Sequence, residues 1–279
     1  MDVDLGQYGA WRRAGELELG FAEELEKIGY PTLWIGGSPP GDLKVVEDVL
    51  DSTERLKVAT GIVNIWREEA STVAASFHRI VSRHPDRFIL GIGVGHPEAV
   101  SGYTRPYDKI VAYLDELESA GVPSGSLVLA ALGPRVMRLA GQRTAGAHPY
   151  LTTPAHTRQA REILGDGPFL APEQKVILEP DPVAARELGR SSVAHYLRLV
   201  NYRNSLLREG WDPGDLDDGG SDRLVDALAL HGSIEEIAAG LVAHREAGAD
   251  HVAIQALGDD PLSTLRALAE PLGVSTRST

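Results

Sequence analysis

Residues whose side chains could carry chemistry follow several short apolar stretches of this sequence. They are Trp11, Asn64, Trp66, His96, Gly133 and His148. The set is aromatic and amide-rich, so it suits the stacking of a planar heterocycle. It does not suit a metal, because no three carboxylates or histidines share the spacing of metal ligands. Packing explains each residue taken alone, whereas the set as a whole favours a ligand site.

Two histidines are candidates for proton transfer. We expect His96 to be the general acid or base and His148 to be the second candidate, because an unperturbed imidazole titrates near neutral pH. His96 follows the glycine-rich stretch 88–94, where missing Cβ atoms let a flat ligand or another backbone approach. Tyr107 and Tyr202 stay open as alternative proton donors.

Standard nucleotide-binding and hydrolase motifs are missing from the sequence. There is no Gly-x-x-x-x-Gly-Lys-Ser/Thr loop, no His-Glu-x-x-His and no Gly-x-Ser-x-Gly elbow. Gly91 and Gly93 begin a dinucleotide fingerprint, but His96 stands where its third glycine belongs. Pro97 also disfavours the helix that should start there. A classical nicotinamide site is therefore not expected.

Composition limits the class of protein. A chain of 279 residues fits one large α/β domain or two small ones. The absence of cysteine excludes disulfides and thiolate metal sites, and with the acidic N-terminus it favours the cytoplasm. A net charge of −13 argues against nucleic-acid or anionic-membrane partners, and the apolar runs are too short for a transmembrane helix. We expect a cytoplasmic protein with a small-molecule substrate and no metal.

Short apolar runs alternate with helical periodicity along the chain. The strand-like runs are 3–11, 32–36, 57–63, 88–94, 127–131, 146–151, 175–179 and 251–257. About eight strands with helices between them predict an α/β fold, the (β/α)8 TIM barrel, in which residues just past each strand face one mouth. An open doubly wound sheet is the main alternative. It is weakened because the glycines do not follow the first strand.

Residues 191–230 interrupt this alternation. They contain Tyr196, Tyr202 and Trp211 and an acidic turn, and they keep helical spacing. We therefore expect an insertion or lid after strand seven, within a single domain that covers residues 1–279.

Six stretches in order along the chain carry a resemblance to a known family. They are 60–66, 87–96, 129–134, 145–150, 219–226 and 248–252. Together they resemble the bacterial luciferase-like superfamily, and within it the actinobacterial coenzyme F420-dependent oxidoreductases. The resemblance implies a luciferase-like TIM barrel with an insertion after strand seven, a deazaflavin or flavin cofactor, and a homodimer.

The resemblance also implies a place for each part of the cofactor. The ring would lie against a non-proline cis peptide after strand three, near Thr60, Gly61, Ile62, Asn64, Val94, Gly95 and His96. The cofactor tail would contact Leu132, Gly133 and Pro134 after strand five. Its phosphate would lie after strand six, where a helix N-terminus favours an anion, against Thr152, Thr153, His156 and Thr157. Trp11 and Trp66 would line the substrate pocket.

Two departures from the family leave the substrate open. Relatives that oxidise sugar phosphates or alcohols carry a histidine at the end of strand two and a glutamate after strand four. Here strand two ends without histidine at 36–40, and His96 stands near the glutamate position. The leading hypothesis is a coenzyme F420-dependent oxidoreductase that moves a hydride between deazaflavin C5 and a small organic substrate. The alternatives are an FMN-dependent monooxygenase served by a partner reductase, and a non-catalytic F420- or flavin-binding protein.

Overall fold

The computed structural model describes residues 4–18, 20–95 and 105–274. The strands in these ranges are β1 (Tyr8–Arg13), β2 (Thr32–Gly36), β3 (Lys57–Gly61), β4 (Val63–Asn64), β5 (Phe88–Gly93), β6 (Leu127–Leu129), β7 (Gly146–Ala147), β8 (Phe169–Leu170), β9 (Glu173–Ile177), β10 (Ala229–His231) and β11 (Val252–Ala256). The helices are α1 (Phe21–Ile28), α2 (Lys44–Asp51), α3 (Ala70–Arg83), α4 (Pro106–Ser119), α5 (Pro134–Arg143), α6 (Pro154–Leu164), α7 (Pro182–Val193), α8 (Val200–Glu209), α9 (Asp222–Leu228), α10 (Ile234–Glu246) and α11 (Pro261–Ala269). Among these helices, none combines the length and the hydropathy that crossing a membrane requires.

The strands pair in parallel, in the order β10-β9-β11-β1-β2-β3-β5-β6-β7-β8, with β4 beside β5. β8 and β9 are two parts of one extended segment, residues 169–177, and this segment forms hydrogen bonds to neighbouring chain segments on both of its sides. On one side Glu173 N–H donates to Pro149 O at 2.9 Å, and on the other Ala253 N–H donates to Pro172 O at 2.9 Å. Both ends of the sheet therefore meet on this run and close it. The predicted α/β fold, a (β/α)8 TIM barrel, is confirmed.

Side chains along the strands alternate between two hydrophobic layers, as the period of two requires. One layer fills the barrel interior and includes Trp11, Trp34, Ala59, Ile89 and Val128. The other packs beneath the helices and includes Ala10, Leu33, Val58, Leu90 and Leu127. Because both faces are buried, the strands read as nearly continuous apolar runs, which is typical of parallel sheets.

Several strand boundaries differ from the prediction, and two of them have clear local reasons. β1 begins at Tyr8, because Gly6 adopts a left-handed φ of 71° that ends any extended run before it. β7 covers only Gly146–Ala147 instead of 146–151, because Pro149 has no N–H with which to continue the ladder. The eight predicted strands occur in the predicted order, and the short strands β8 and β10 were not predicted.

Most of residues 191–230 form helical segments, and β10 continues beside β9. Their apolar side chains form a second hydrophobic cluster with Leu151, which follows β7. The cluster includes Val193, Leu197, Leu199, Leu206, Leu216, Leu224, Val225 and Leu228. α8 and α9 therefore pack on the loop after β7, at the mouth of the barrel. Their role as a lid within one domain stays a prediction.

Candidate cofactor site at the barrel mouth

The end of β3 is tied to β5 through Thr60. The Thr60 Oγ1 atom donates to Gly91 O at 2.8 Å and accepts from Gly91 N–H at 2.8 Å. A Cβ atom on Gly91 would collide with the Thr60 carbonyl oxygen, so this glycine serves strand packing. The Thr60 hydroxyl is thus committed to the sheet, and any contact of Thr60 with a ligand falls to its backbone.

The peptide bond between Gly61 and Ile62 is cis, as the resemblance implies. The Ile62 side chain lies beside Gly93, where a Cβ atom would come within 3.1 Å of Ile62 Cγ1. The amide of Asn64 similarly lies against Gly95, which has a left-handed φ of 57°. Protein atoms therefore occupy the space beside these glycines, and Val94 is half-buried between them.

Asn64 also organises the loop after β4. Its Oδ1 atom accepts from the backbone N–H of Trp66 at 2.9 Å, which fixes the orientation of the amide. The indole Nε1 of Trp66 is buried and has no hydrogen-bond partner in the described part of the chain. A buried donor without a partner calls for an explanation such as a bound ligand or water.

His148 is buried inside the barrel, whereas His96 lies outside the described residues. The His148 ring stacks on Trp34 with centroids 4.1 Å apart, and its Nδ1 atom lies 2.7 Å from Ala171 O. Because Nδ1 must carry the hydrogen in that bond, Nε2 keeps a free lone pair. Burial lowers the pKa of His148 to about 4, so the ring is neutral at pH 7. The acid or base roles of both histidines stay predictions.

Two buried polar atoms, Trp11 Nε1 and His148 Nε2, lie next to Gly61. A Cβ atom on Gly61 would lie 2.8 Å from His148 Nε2 and 2.8 Å from Trp11 Nε1. Both atoms are buried, and neither has a hydrogen-bond partner among the described residues. The indole offers a donor and the imidazole an acceptor. Together they can hold one hydroxyl group, carbonyl group or water.

The predicted phosphate site lies at the start of α6. Thr153 is the N-cap, and its Oγ1 atom accepts from His156 N–H at 3.3 Å, while Pro154 takes the first helical position. The Thr152 hydroxyl is buried and without a partner in the described ranges. The Thr157 hydroxyl instead bonds to Nδ1 of His244 at 2.8 Å. The Thr152 hydroxyl is therefore available to an anion, whereas the hydroxyl of Thr157 is not.

His156 connects this site to the loop that the cofactor tail was predicted to contact. Its Nε2 atom lies 3.1 Å from Leu132 O, and burial lowers its pKa to about 4. Gly133 is the N-cap of α5 and Pro134 its first residue. The starts of α5 and α6 therefore lie together at the mouth.

Glu209, at the end of α8, is the residue of this site that sequence reasoning missed. Thr153 Oγ1 donates to Glu209 Oε2 at 2.6 Å. Burial raises the pKa of Glu209 to about 7, although the bond from Thr153 lowers it in part. Its other oxygen, Oε1, is out of contact with solvent and has no partner in the part of the chain that the structure describes. A carboxylate of the protein thus stands at the predicted phosphate site.

An ion pair inside the barrel was also missed. Lys175 and Glu173, both on β9, are 0% and 1% exposed, and Nζ lies 3.0 Å from Oε1. Glu173 Oε2 also accepts from Leu151 N–H at 3.1 Å, and Lys175 Nζ lies 4.0 Å from the centre of the Tyr150 ring. Two charges at i and i+2, the second of them opening the predicted strand 175–179, are the sequence signal that could have located this pair.

Tyrosines from the segment 191–230 pack beside this pair at the mouth. Tyr150 donates to Gln255 Oε1 at 3.0 Å, and its hydroxyl oxygen lies 3.2 Å from that of Tyr196. Arg13 Nη2 donates to the Tyr196 hydroxyl at 2.9 Å. Burial raises the pKa of Tyr202 well above its ordinary value, so its phenol stays protonated. Among the described residues, no group of three or more His, Asp or Glu side chains could hold a metal ion.

Comparison with known proteins gives a family match and a fold match. Residues 4–120 match the family described as luciferase-like monooxygenase, which confirms the resemblance seen in the sequence. No curated protein matches significantly. Among solved structures, an F420-dependent secondary alcohol dehydrogenase in complex with an F420-acetone adduct is 14% identical, with a TM-score of 0.74 over 95% of this chain and 98% of that one.

Two further structures are similar over the same length. The coenzyme F420-dependent tetrahydromethanopterin reductase from Methanopyrus kandleri is 14% identical, with a TM-score of 0.72 over 95% of this chain and 98% of that one. The oxygenating constituent of 3,6-diketocamphane monooxygenase from Pseudomonas putida, in complex with FMN, is 15% identical, with a TM-score of 0.70 over 95% and 97%. At these identities the likeness is one of fold.

Proposed function

We propose that this chain, a luciferase-like protein by the match of residues 4–120, is a coenzyme F420-dependent oxidoreductase. It moves a hydride between deazaflavin C5 and a small organic substrate. The proposal rests on the start of α6 at the barrel mouth. There a capped helix N-terminus lies next to Thr152, whose buried hydroxyl has no hydrogen-bond partner among the described residues. Such a donor set fits a phosphate group.

The residues that would hold the cofactor follow the ends of β3, β5, β6 and β7. Thr152 and Thr153 would bind the phosphate, and the loop 132–134 at the start of α5 would meet the tail. The segment 61–64 with Val94 and Gly95 would border the ring. When bound, the cofactor supplies hydride chemistry at C5, and the protein supplies orientation and the exclusion of water.

The chain's own polar groups would position the substrate. Trp11 Nε1 can donate to a substrate oxygen, and His148 Nε2 can accept from a substrate hydroxyl or a water, since both atoms are buried and lack partners in the described ranges. His148 acts as a neutral acceptor at pH 7, because its pKa is about 4. The proton that accompanies the hydride is assigned to His96.

One contact favours F420 over FMN. The F420 tail is anionic beyond its phosphate, and a basic group near the start of α5 would stabilise it. Arg208 of α8 is such a group, because its Nη2 atom would lie 3.9 Å from a Cβ atom on Gly133. An FMN-dependent monooxygenase with a partner reductase remains the second candidate, since the similar folds include an FMN complex.

A parallel fluorescence titration of the purified protein with F420 and with FMN tests the proposal. We expect tighter binding of F420, followed by turnover with a panel of alcohols and carbonyl compounds. Preferential binding of FMN would redirect the work to oxygen chemistry and a reductase. Binding of both cofactors without turnover would make the chain a cofactor-binding protein, and binding of neither would overturn the proposal.

The role of His96 has its own test. His96→Ala is expected to lower kcat much more than cofactor affinity, because the histidine transfers a proton and does not hold the ring. A loss of affinity with unchanged kcat would remove that role.

We further propose a cytoplasmic homodimer, and size-exclusion chromatography with light scattering tests the dimer.

A further inference from the structure

α8 presents a row of buried polar atoms on one face. Asn201, Ser205 and Glu209 are spaced four residues apart, so their side chains lie on the same side of the helix. The atoms Asn201 Oδ1, Ser205 Oγ and Glu209 Oε1 are all out of contact with solvent, and none has a partner within the described ranges. The row ends at the start of α6, where Glu209 meets Thr153.

Two more polar atoms without partners among the described residues belong to Thr152 and His156, which flank Thr153 at the start of α6. Thr152 Oγ1 and His156 Nδ1 are buried, and their residues are 1% and 4% exposed. The bond from Thr153 to Glu209 therefore lies next to buried polar atoms that have no partner in the described ranges. Buried polar groups normally have partners, so this junction has the character of a ligand site in which a carboxylate stands in for the anion.

We infer that Glu209 determines which phosphate group this site accepts: its carboxylate takes up one proton from solvent when a doubly charged phosphate binds. The inference rests on the proposed cofactor site. A phosphodiester, as in F420, carries one negative charge, whereas the phosphomonoester of FMN carries up to two near neutral pH. A fixed carboxylate repels the monoester more strongly, because repulsion scales with the product of the charges. Glu209 therefore selects for the diester.

Glu209 is the described group at this junction that titrates near neutral pH, with a pKa of about 7. His156 on α6 stays neutral above its pKa of about 4. The positive charge of Arg208 on α8 lowers the pKa of Glu209. The side chains of Thr153 and Trp211 are uncharged hydrogen-bond donors next to Glu209, and both lower its pKa. Protonation of Glu209 is accordingly the step that admits a doubly charged phosphate.

The test compares Glu209→Gln with Glu162→Gln at pH 8. Glu162 is an exposed residue of α6, so its replacement makes the same change in net charge away from the junction. FMN, riboflavin and F420 are titrated against each variant and the wild type. We expect Glu209→Gln to raise FMN affinity at least tenfold, to raise F420 affinity less, and to leave riboflavin unchanged, because riboflavin has no phosphate. Glu162→Gln should change none of them.

Equal effects of Glu209→Gln on FMN and riboflavin, or a loss of FMN affinity, would overturn the inference. If no variant binds any flavin or deazaflavin, the proposed function fails and inorganic phosphate becomes the probe. Phosphate should then raise the Tm of Glu209→Gln more than that of the wild type, and equal shifts would refute the role of Glu209.

A second measurement needs no variant, in case Glu209→Gln is unstable. Calorimetry of wild-type binding to FMN at pH 8, in buffers of different ionisation enthalpy, should reveal proton uptake that F420 does not cause. The absence of uptake with FMN, or equal uptake with both cofactors, would contradict the inference.

Discussion

His148 stacks on Trp34 inside the barrel, and Trp34 in turn donates through Nε1 to Nε2 of His251 at 2.9 Å. His251 Nδ1 lies 2.8 Å from Gly6 O, so this ring carries its hydrogen on Nδ1, as His148 does. Both rings are neutral and fixed in one tautomer. His148 differs in that its Nε2, beside Gly61, has no partner in the part of the chain that the structure describes, so it is the histidine of the pair that can meet a ligand.

Stability should fall steeply as the pH drops from 6.5 towards 4. Burial lowers the pKa of His148, His156 and His251 to about 4 and that of His244 to about 3, from 6.5. Each depressed pKa contributes stability that is present above 6.5 and is lost as the unfolded chain takes up protons. The loss approaches about 3 kcal/mol for each histidine. Glu209, whose pKa is raised, has the opposite effect: its contribution to stability is present below pH 4.5 and is lost as the pH rises to about 7.

Urea unfolding at pH 8, 6.5, 5.5 and 4.5 measures this dependence. Four such histidines outweigh one glutamate, so we expect the midpoint concentration to fall below pH 6.5. A midpoint that is constant down to pH 5 would show that these histidines are not buried as neutral rings.

Gly61→Ala should destabilise the protein. The added Cβ atom would lie 2.8 Å from both Trp11 Nε1 and His148 Nε2, which belong to rings packed in the barrel interior. Overpacking of this kind costs about 1–3 kcal/mol. Gly15→Ala is the control, because a Cβ atom there meets nothing within 4 Å. Equal unfolding midpoints for the two variants would disprove this packing.

Lys175→Met should cost about 3–5 kcal/mol, because it leaves the carboxylate of Glu173 buried without its cation. Adding Glu173→Gln to that variant should recover most of the loss, since a neutral amide can still accept from Leu151 N–H. The exposed pair of Lys27 with Glu24 is the control, and Lys27→Met should change the unfolding midpoint far less than Lys175→Met does. Failure of the double variant to recover stability would place the loss in packing.

Thr152→Val should separate binding from stability. The Thr152 hydroxyl is buried without a partner in the described chain, so its removal should leave the free energy of unfolding unchanged or raise it by up to about 1 kcal/mol. Affinity for F420 and FMN should fall, and that for riboflavin should not. Thr153→Val is the contrasting variant: it removes an N-cap, which costs about 1 kcal/mol. Unchanged F420 and FMN affinity in Thr152→Val would move the phosphate elsewhere.

The sequence by itself determined the order of strands and helices. Apolar runs of period two and helical faces of period 3.6 are local patterns, and so are caps such as Thr153 before Pro154. The position of polar residues just past successive strands also followed, because parallel strands in a barrel direct their ends to one mouth.

Tertiary structure alone decided what each polar group bonds to. Glu209 reaches Thr153 across 56 positions of sequence, and Trp34 bonds to His251 across 217. Such contacts depend on how helices and strands pack, which local periodicity does not encode. Burial likewise set the protonation of His148 and Glu209 by removing water from groups that look ordinary in the sequence. The sequence located the mouth of the barrel, and packing decided which of its atoms remain free for a ligand.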